Sequence, residues 1–364
     1  MPASDTDTDA AELQRGLRAQ LQARGSAWSE APFERLRDKG LAHHHVRLVG
    51  TGVLARIPKQ SQLRLGARDN LAYQAACFER IGPLGHAPRL MGLLPPGPDL
   101  PRGALLVEEI VGRSAQLPGD LPAIMQALAS IHALPLPPPT RRAPLLHARD
   151  PLQDLRDEIA AQAQHLDSAG LAPAAASDIG AELQRLGQVC ARLERPARHL
   201  VAFDGHPGNF IVRSDGSAAL VDLEKCRYSY PGLDLAHATL YTSTTWDLDS
   251  CTALDPLQVA QGYAAWAGCV GAAAARSAQP WHAPLRRAMW LWSVTWCAKW
   301  RALSGVPAGA SADGEDWSAQ GNDAALTAHV QDRVAHYLSA AVVQQMRHEF
   351  SQFDQALVEP TNGS

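Results

Sequence analysis

Residues 201–212 read VAFDGHPGNFIV, in which two short apolar stretches enclose a polar loop that runs from Asp204 to Asn209. A further apolar stretch, residues 218–221, ends at Asp222, thirteen residues after Asn209. Short apolar runs bounded by Gly, Pro, Asn and Asp are typical of β-strands joined by tight turns. The pattern therefore predicts a hairpin-like unit that places Asp204, Asn209 and Asp222 near one another.

The side chains of this predicted unit carry oxygen atoms that suit phosphate chemistry. The amide oxygen of Asn209 and the carboxylate of Asp222 are hard donors, the kind of ligand that Mg²⁺ takes beside substrate phosphates. The carboxylate of Asp204 could accept the proton of an attacking hydroxyl group. A single Asp in a loop is commonly a turn or capping residue, but three such groups at this spacing favour a functional site.

The composition is that of a folded protein without a strong attraction to polyanions. The chain has 364 residues, enough for two or three domains, and 46% of them are apolar against 19% charged. Lys and Arg number 33 and Asp and Glu 37, so the net charge of −4 argues against nucleic acid or anionic lipid as a partner. No apolar run reaches the roughly 18 residues of a membrane-spanning helix, and the acidic N-terminus is unlike a secretory signal. We therefore expect a small-molecule partner, no nucleic acid and no membrane.

Six cysteines are scattered along the chain without a CxxC pair. This spacing is unlike a metal site, and free thiols in a reducing compartment are the simpler interpretation in a chain of this length. The expected location is therefore cytoplasmic. No feature of the sequence indicates an oligomeric state.

Periodicity divides the chain into a β-rich unit over residues 1–110 and a mainly helical unit over residues 111–364. In the first unit we expect disorder over residues 1–9 and an amphipathic helix over residues 10–24. Alternation and helical spacing predict its remaining elements, which are strands 33–36, 46–49, 53–57, 89–93 and 104–108 and helix 70–81. The second unit is predicted to contain helices over 121–134, 151–166, 178–193 and from residue 233 onward.

The spacing D-x-x-x-x-N at residues 204–209, followed by VDLE at residues 221–224, resembles the aminoglycoside phosphotransferase and choline kinase family, which has the protein-kinase-like fold. The family loop reads H-G-D-x-H-P-G-N and is followed by I-D-F-E or a close relative; the matching residues are Asp204, His206, Pro207, Gly208, Asn209, Asp222 and Glu224. Four other segments match the family more weakly and occur in the family's order. They are the third strand (54–58), the segment that connects the lobes (106–112), the helix after it (127–132) and the segment 232–236.

The resemblance implies an α+β, two-lobed protein-kinase-like fold, with a small β-rich N-lobe, a large mainly helical C-lobe and ATP in the cleft between them. It also implies an ATP- and Mg²⁺-dependent phosphotransferase, a small-molecule kinase that phosphorylates a hydroxyl group. The acceptor would be an amino alcohol, an aminoglycoside or a sugar-like compound.

The resemblance also implies roles for individual residues. Asp204 would be the catalytic residue that orients or deprotonates the substrate hydroxyl, and Asn209 and Asp222 would hold Mg²⁺ on the ATP phosphates. Asp234 would be structural and tie the loop backbone in place. Further nucleotide contacts would come from the N-lobe: Arg56 and the Lys39–Gly40 turn at the phosphates, and backbone groups of Glu108, Glu109 and Ile110 at the adenine. Residues expected near the substrate are His206, Glu224, Trp246 and Asp247.

Three departures from the family pattern leave a second interpretation open. The family's loop histidine falls at Ala202, and the helix glutamate that would pair with Arg56 falls at Gln74. The glycine-rich lid is reduced to the Lys39–Gly40 turn. A catalytically weak or inactive pseudokinase that binds a nucleotide or another ligand is therefore the alternative, and transfer of a nucleotidyl group by the same fold is a third interpretation.

A tryptophan repeat and a run of three histidines each have a structural and a functional interpretation. Trp292, Trp296 and Trp300 recur every fourth residue, which is typical of a helix face buried in a core. The same residues could form an aromatic wall for a cationic amine. The run His43–His45 falls on a predicted strand, where neighbouring side chains face opposite sides, so the three cannot all bind one metal ion.

Overall fold

A computed structural model describes residues 5–38, 40–305 and 324–358, with side chains described from residue 11 to residue 355. The chain divides into two compact units. The first contains the described residues up to 111 together with 324–327, and the second contains residues 112–305 and 328–358. No helix in these ranges is long and apolar enough to cross a membrane.

Five strands form the sheet of the first unit: β1 (Phe33–Arg35), β2 (His43–Leu48), β3 (Val53–Pro58), β4 (Leu90–Leu94) and β5 (Ala104–Glu108). They pair antiparallel in the order β1-β2-β3-β5-β4. The turn between β2 and β3 contains Gly50 and Gly52, whose φ values of 78° and 69° suit glycine. All five predicted strands are present, and β2 begins three residues early because His43 to His45 pair with β3 through their backbone.

Alternation along the strands separates the two faces of this sheet. One face packs against helix α1 (Asp5–Gln22) in an apolar core that includes Leu17, Leu21, Val46, Leu48, Val53, Ala55 and Ile57. Disorder was expected over residues 1–9, of which residues 1–4 lie outside the described residues and residues 5–9 belong to α1, which begins at Asp5. The apolar spacing used for that prediction starts only at Leu13, and the helix continues into the polar residues before it.

Arg56 lies between two of these inward residues of β3 and therefore points to the opposite face of the sheet. There its guanidinium carbon lies 5.5 Å from the ring centre of Phe78 on helix α2 (Ala67–Ile81). The predicted helix over residues 70–81 is present and begins three residues earlier, after Gly66. The polar side of β3 is thus turned toward α2.

The second unit is mainly helical. Its helices are α3 (Leu121–His132), α4 (Pro151–Ala163), α5 (Pro173–Cys190), α6 (Pro231–Thr239), α7 (Tyr241–Thr244), α8 (Pro256–Val270), α9 (Ala272–Ala278), α10 (His282–Leu303), α11 (from Ala324 in the first unit to Tyr337) and α12 (Ala340–Val358). Its strands are β6 (Arg113–Ser114), β7 (His199–Val201), β8 (Phe210–Val212), β9 (Ala218–Leu220) and β10 (Arg227–Ser229). The strands form two small antiparallel sheets, β6-β8-β9 and β7-β10.

Helix α10 is the centre of this unit and packs against α4, α5, α6 and α12. Trp290, Trp292 and Trp300 on α10 are 0%, 7% and 4% exposed. Trp292 and Trp300 therefore belong to the core, as their helical spacing indicates, whereas Trp296 of the same spacing is half-buried and Trp290 is buried although it lies outside that spacing. The predicted α+β class, with a small β-rich unit and a larger helical one, is confirmed.

Candidate active site

The loop from Asp204 to Asn209 connects the two small sheets of the second unit. It follows β7, which pairs with β10, and it ends in a short 3-10 turn before β8, which pairs with β9. The backbone N–H of Val221, just after β9, donates to the carbonyl oxygen of Asn209 at 2.9 Å. Strand pairing therefore brings the loop and Asp222 into one region of this unit.

Asp234 on α6 holds the backbone immediately before the loop. Its Oδ2 accepts the N–H of Ala202 and its Oδ1 accepts the N–H of Phe203, both at 2.7 Å. Because the carboxylate is fully buried, these donors replace the hydrogen bonds that water would otherwise supply. Ala202 takes part through its main chain, so the absence of a histidine side chain at this position leaves the brace intact.

His132 at the end of α3 is the third partner of the Asp234 carboxylate. Its Nε2 lies 2.9 Å from Oδ2 of Asp234, and its Nδ1 accepts a hydrogen bond from Nε1 of Trp266 at 2.9 Å. An indole nitrogen only donates, so Nδ1 is unprotonated and Nε2 carries the hydrogen that Asp234 accepts. The fully buried Asp234 is therefore satisfied by two backbone donors and one imidazole.

Phe203, directly before Asp204, has an unusual backbone. Its φ is 62°, a left-handed conformation that costs a residue with a side chain about 1–2 kcal/mol. The ring is 1% exposed and lies between the guanidinium of Arg227, 3.6 Å from the ring centre, and the edge-on ring of Trp292 at 5.4 Å. These contacts, together with the brace from Asp234, hold the left-handed conformation in place.

Asp204 lies against two basic side chains. Nζ of Lys225 is 2.8 Å from its Oδ2, and Nδ1 of His237 is 3.7 Å from its Oδ1. Burial raises the pKa of the Asp204 carboxyl, but the positive charge of Lys225, the largest of the opposing causes, outweighs this and holds the pKa below its usual value. Burial also lowers the pKa of His237 to about 4, so that ring is neutral near pH 7. The ammonium of Lys225 is then the positive charge that is bonded to Asp204.

Lys225 and His237 were both missed by the sequence analysis. Lys225 directly follows the matched VDLE segment, and the register that sets Arg227 opposite Val201 carries it toward the loop. The signal for His237 is its position three residues after Asp234, because residues i and i+3 share a helix face. Neither position is part of the family motif, so the motif alone did not identify them.

Asn209, Asp222 and Glu224 provide the oxygen atoms of this region. Nδ2 of Asn209 donates to the carbonyl of Asp204 at 2.9 Å, so its amide oxygen is the atom of this side chain that could bind a cation. Carboxylate oxygens of Asp222 and Glu224 lie within 4.8 Å of each other. Hard oxygen donors at this spacing fit a magnesium ion that also binds phosphate oxygens.

Of the residues expected near the substrate, His206 belongs to the loop and Asp247 lies beside it. A side chain at Gly208 would come within 2.9 Å of the His206 ring and 2.7 Å of Cβ of Asp247, so only glycine allows this close approach. Trp246 instead packs into an aromatic group, stacked on Tyr337 at 6.1 Å and edge-on to Trp296 at 5.8 Å. Of the residues expected near the substrate, Asp247 thus lies beside the loop, whereas the ring of Trp246 packs against residues of α10 and α11.

In the first unit, His43 links Arg56 to Gln74. Nδ1 of His43 lies 3.4 Å from Nη2 of Arg56, and Nε2 lies 3.0 Å from Oε1 of Gln74. Since arginine only donates, Nδ1 is the acceptor and Nε2 donates to the glutamine. All three side chains are buried, so a neutral imidazole occupies the place between the strand cation and the helix residue.

In the segment predicted to bind adenine, two of the backbone N–H groups already donate hydrogen bonds within the protein. The N–H groups of Glu108 and Glu109 donate to the carbonyls of Arg89 and Gly52 at 2.9 and 2.8 Å. Among the described backbone contacts none uses the N–H of Ile110, which makes it the donor of this segment that a nucleotide base could use.

The predicted phosphate turn is described only at Gly40, because Lys39 lies outside the described residues. A side chain added at Gly40 would meet no atom within 4 Å. Space therefore does not explain a glycine at this position.

The chain matches one protein-family profile, and many solved structures resemble its fold. The sequence profile described as phosphotransferase enzyme family matches residues 34–281, which is 248 of the 364 residues. No protein of curated function has a significantly similar sequence.

Solved structures of kinases that act on small molecules share the fold. A choline/ethanolamine kinase family protein from Mesorhizobium loti is 18% identical with a TM-score of 0.59, over 95% of this chain and 99% of that one. A GDP complex of a mutant aminoglycoside 2′-phosphotransferase-IIIa is 14% identical with a TM-score of 0.56, over 94% and 99%. Choline kinase from Cryptosporidium parvum is 14% identical with a TM-score of 0.52, over 97% and 98%. The predicted protein-kinase-like fold is confirmed.

Proposed function

The chain belongs to the phosphotransferase enzyme family, in which a small molecule accepts phosphate on a hydroxyl group, and we propose that it uses Mg²⁺-ATP to phosphorylate an amino alcohol or an aminoglycoside. The observation that carries the proposal is the carboxylate of Asp204, paired with Lys225 on a loop that Asp234 braces. Asn209 and Asp222, both with oxygen ligands, lie in the same region. This is the set of groups that phosphoryl transfer from a nucleotide requires.

In this proposal Asp204 accepts the hydrogen bond of the acceptor hydroxyl and directs its oxygen at the γ-phosphorus. The new bond forms between that oxygen and phosphorus, and the bond from phosphorus to the bridging oxygen breaks, so that ADP leaves with the electron pair. The hydroxyl proton passes to Asp204. Because the pKa of this carboxyl is low, its main contribution is orientation, with proton transfer late in the reaction.

Mg²⁺ would be held by the amide oxygen of Asn209 and the carboxylate of Asp222, and it would supply charge neutralisation at the phosphates. Arg56, positioned by His43, would contribute a second positive charge to the nucleotide. The N–H of Ile110 would donate to the adenine base. The first of these assignments is supported by the hard donor set, and the other two by the matched segments of the family.

An amine in the acceptor is supported by two observations. Asp247 places a half-buried carboxylate beside the loop, next to the aromatic group of Trp246, Trp296 and Tyr337. A carboxylate near aromatic faces suits a cationic amine. Two of the similar structures are named choline or ethanolamine kinases, and one is named for an aminoglycoside.

The first test is a thermal-shift titration with ATP and with GTP, in Mg²⁺ and in EDTA. A ligand that binds only the folded state raises the melting temperature, so we expect a rise with Mg²⁺-ATP that EDTA removes. Amino alcohols and aminoglycosides are then screened for ADP release. Pyrophosphate as the product would indicate nucleotidyl transfer, and binding without turnover would indicate a pseudokinase.

Two Asp→Asn substitutions, which keep the size of the side chain and remove its charge, distinguish the phosphoryl-transfer step from nucleotide binding. Asp204→Asn should lower kcat by about 100-fold or more and leave Mg²⁺-ATP affinity within about threefold. Asp222→Asn should weaken Mg²⁺-ATP affinity by about tenfold or more, because one anionic ligand is lost. Full activity of D204N, or unchanged affinity of D222N, would contradict the respective role.

A further inference from the structure

The side chain of Lys225 ends inside the second unit, against the loop that carries Asp204. Its Nζ lies 2.8 Å from Oδ2 of Asp204, and the two side chains are only 10% and 12% exposed. Charges so poorly hydrated are costly unless they are paired with good geometry. Among the described residues, Asp204 is the only hydrogen-bond partner of this ammonium. The pair is therefore a specific feature of the loop and not a surface ion pair.

The position of Lys225 is fixed by its surroundings. It precedes β10 by two residues, and β10 is anchored to β7 in the pairing that sets Arg227 opposite Val201. Its Nζ lies 5.3 Å from the ring centre of Trp292, a distance at which an aromatic face attracts a cation. Nε1 of Trp292 donates to Glu158 at 2.7 Å, and Arg227 donates to the same carboxylate at 3.0 Å. The ammonium thus lies beside an indole whose N–H is bonded to Glu158, a carboxylate that Arg227 also contacts.

The two oxygens of Asp204 have different surroundings. Oδ2 is bound by Lys225, whereas the group nearest to Oδ1 is Nδ1 of His237 at 3.7 Å, beyond hydrogen-bond distance. In the described part of the chain no side chain hydrogen-bonds Oδ1. A carboxylate with one oxygen fixed and the other open can accept a hydroxyl hydrogen in only one orientation.

We propose that Lys225 is a positioning residue for the phosphoryl transfer: it fixes Oδ2 of Asp204, so that Oδ1 receives the acceptor hydroxyl, and it keeps a positive charge beside the reacting groups. This inference rests on the proposed function. The hydroxyl oxygen bonds to the γ-phosphorus, ADP leaves with the electrons of the broken bond, and the hydroxyl proton moves to Oδ1. Lys225 keeps its proton throughout and offsets the negative charge that gathers near Asp204.

The test compares Lys225→Met and Lys225→Arg with the wild type. Methionine keeps the length and removes the charge, and arginine keeps the charge with a different shape. We expect K225M to lower kcat by about 100-fold while the KM and dissociation constant of Mg²⁺-ATP change by less than about threefold. K225R should recover at least about tenfold of that loss. Lys299→Met, at another buried lysine, on α10, is the matched control and should keep its kcat.

The possible results separate this inference from the function it rests on. A wild type that phosphorylates no acceptor overturns both proposals. An active wild type with K225M within about threefold of its kcat overturns the role of Lys225 alone. Equal losses in K225M and K225R, matched by lower melting temperatures, would mean that Lys225 only supports the fold. Lys225→Gln, which keeps a polar end, replaces K225M if that variant does not fold.

Discussion

Oδ1 of Asp234 accepts a hydrogen bond from the backbone N–H of Phe203 at 2.7 Å, and Phe203 makes that bond in a left-handed conformation with a φ of 62°. The family loop has glycine at this position, where such a φ costs little. In this chain an aromatic ring takes the position and is packed between Arg227 and Trp292. The loop that carries Asp204 therefore depends both on a buried carboxylate and on an aromatic contact.

Replacing Phe203 by glycine should be tolerated better than replacing it by alanine. Both variants lose the ring contacts, but only glycine relieves the left-handed backbone, which is worth about 1 kcal/mol. We expect the free energy of unfolding of F203G to exceed that of F203A by about this amount in denaturant titrations. Ala238→Gly in helix α6 is the control and should destabilise by about 1 kcal/mol. A more stable F203A would show that the backbone is not strained.

Asp234→Asn should destabilise the protein and reduce turnover together. The carboxylate accepts three hydrogen bonds, and an amide would turn its NH₂ toward a donor of Ala202, Phe203 or His132. We expect a loss of about 3 kcal/mol, visible as a fall of several degrees in the melting temperature. Asp167→Asn, at an exposed position where no described contact involves the side chain, is the control and should leave melting unchanged. Wild-type stability of D234N would contradict the brace.

His43→Phe should weaken nucleotide binding, since the ring volume is kept but both bonds to Arg56 and Gln74 are lost. Without the imidazole, Arg56 is no longer held in one orientation before the nucleotide binds, so we expect the dissociation constant of Mg²⁺-ATP, measured by calorimetry, to rise by about tenfold. His44→Phe, whose ring contacts Asp38, is the control and should bind nucleotide normally. If R56A loses affinity and H43F does not, the imidazole is not needed to position Arg56.

The free energy of unfolding should decrease as the pH is lowered, in part because of His282. This side chain is 5% exposed and packed edge-on against Tyr263 and Trp266, and burial lowers its pKa to about 4. Below the unfolded pKa of about 6.5 the unfolded state binds the extra proton. The contribution of His282 to the free energy of unfolding is therefore complete above about pH 6.5. It is lost as the pH falls toward 4, by about 3 kcal/mol in total.

The variant His282→Phe should flatten that acid dependence. Denaturant titrations between about pH 7 and pH 4.5 give the slope of unfolding free energy against pH, and H282F should have the smaller slope. His348→Gln, at an exposed position of α12, should keep the wild-type slope. An identical slope in H282F and the wild type would show that His282 does not titrate differently in the folded state.

Much of the fold follows from local patterns. Alternation predicted the five strands of the first sheet, and helical spacing placed α2, α3 and the tryptophan face of α10. The errors are at element ends, as at α1, where the polar residues before Leu13 carry no apolar spacing. Boundaries depend on backbone pairing and packing, which residue type describes only weakly.

The site was predictable only as far as its motif extends. The six-residue spacing from Asp204 to Asn209 and the strand that ends at Asp222 point to phosphate chemistry because those oxygen donors must be close together for it. Asp234 and the tryptophan face were likewise accessible from the sequence. The motif says nothing about which charges surround Asp204.

The sequence by itself therefore determined the family, the order of the elements and the residues of the loop proposed to be catalytic. Tertiary structure decided the partners of those residues: Lys225 reaches Asp204 across 21 positions, His43 reaches Gln74 across 31, and His132 reaches Asp234 across 102. Periodicity reports on neighbours within a turn of helix or along a strand. Contacts over these separations arise when packed elements meet, and burial then makes each polar partner necessary.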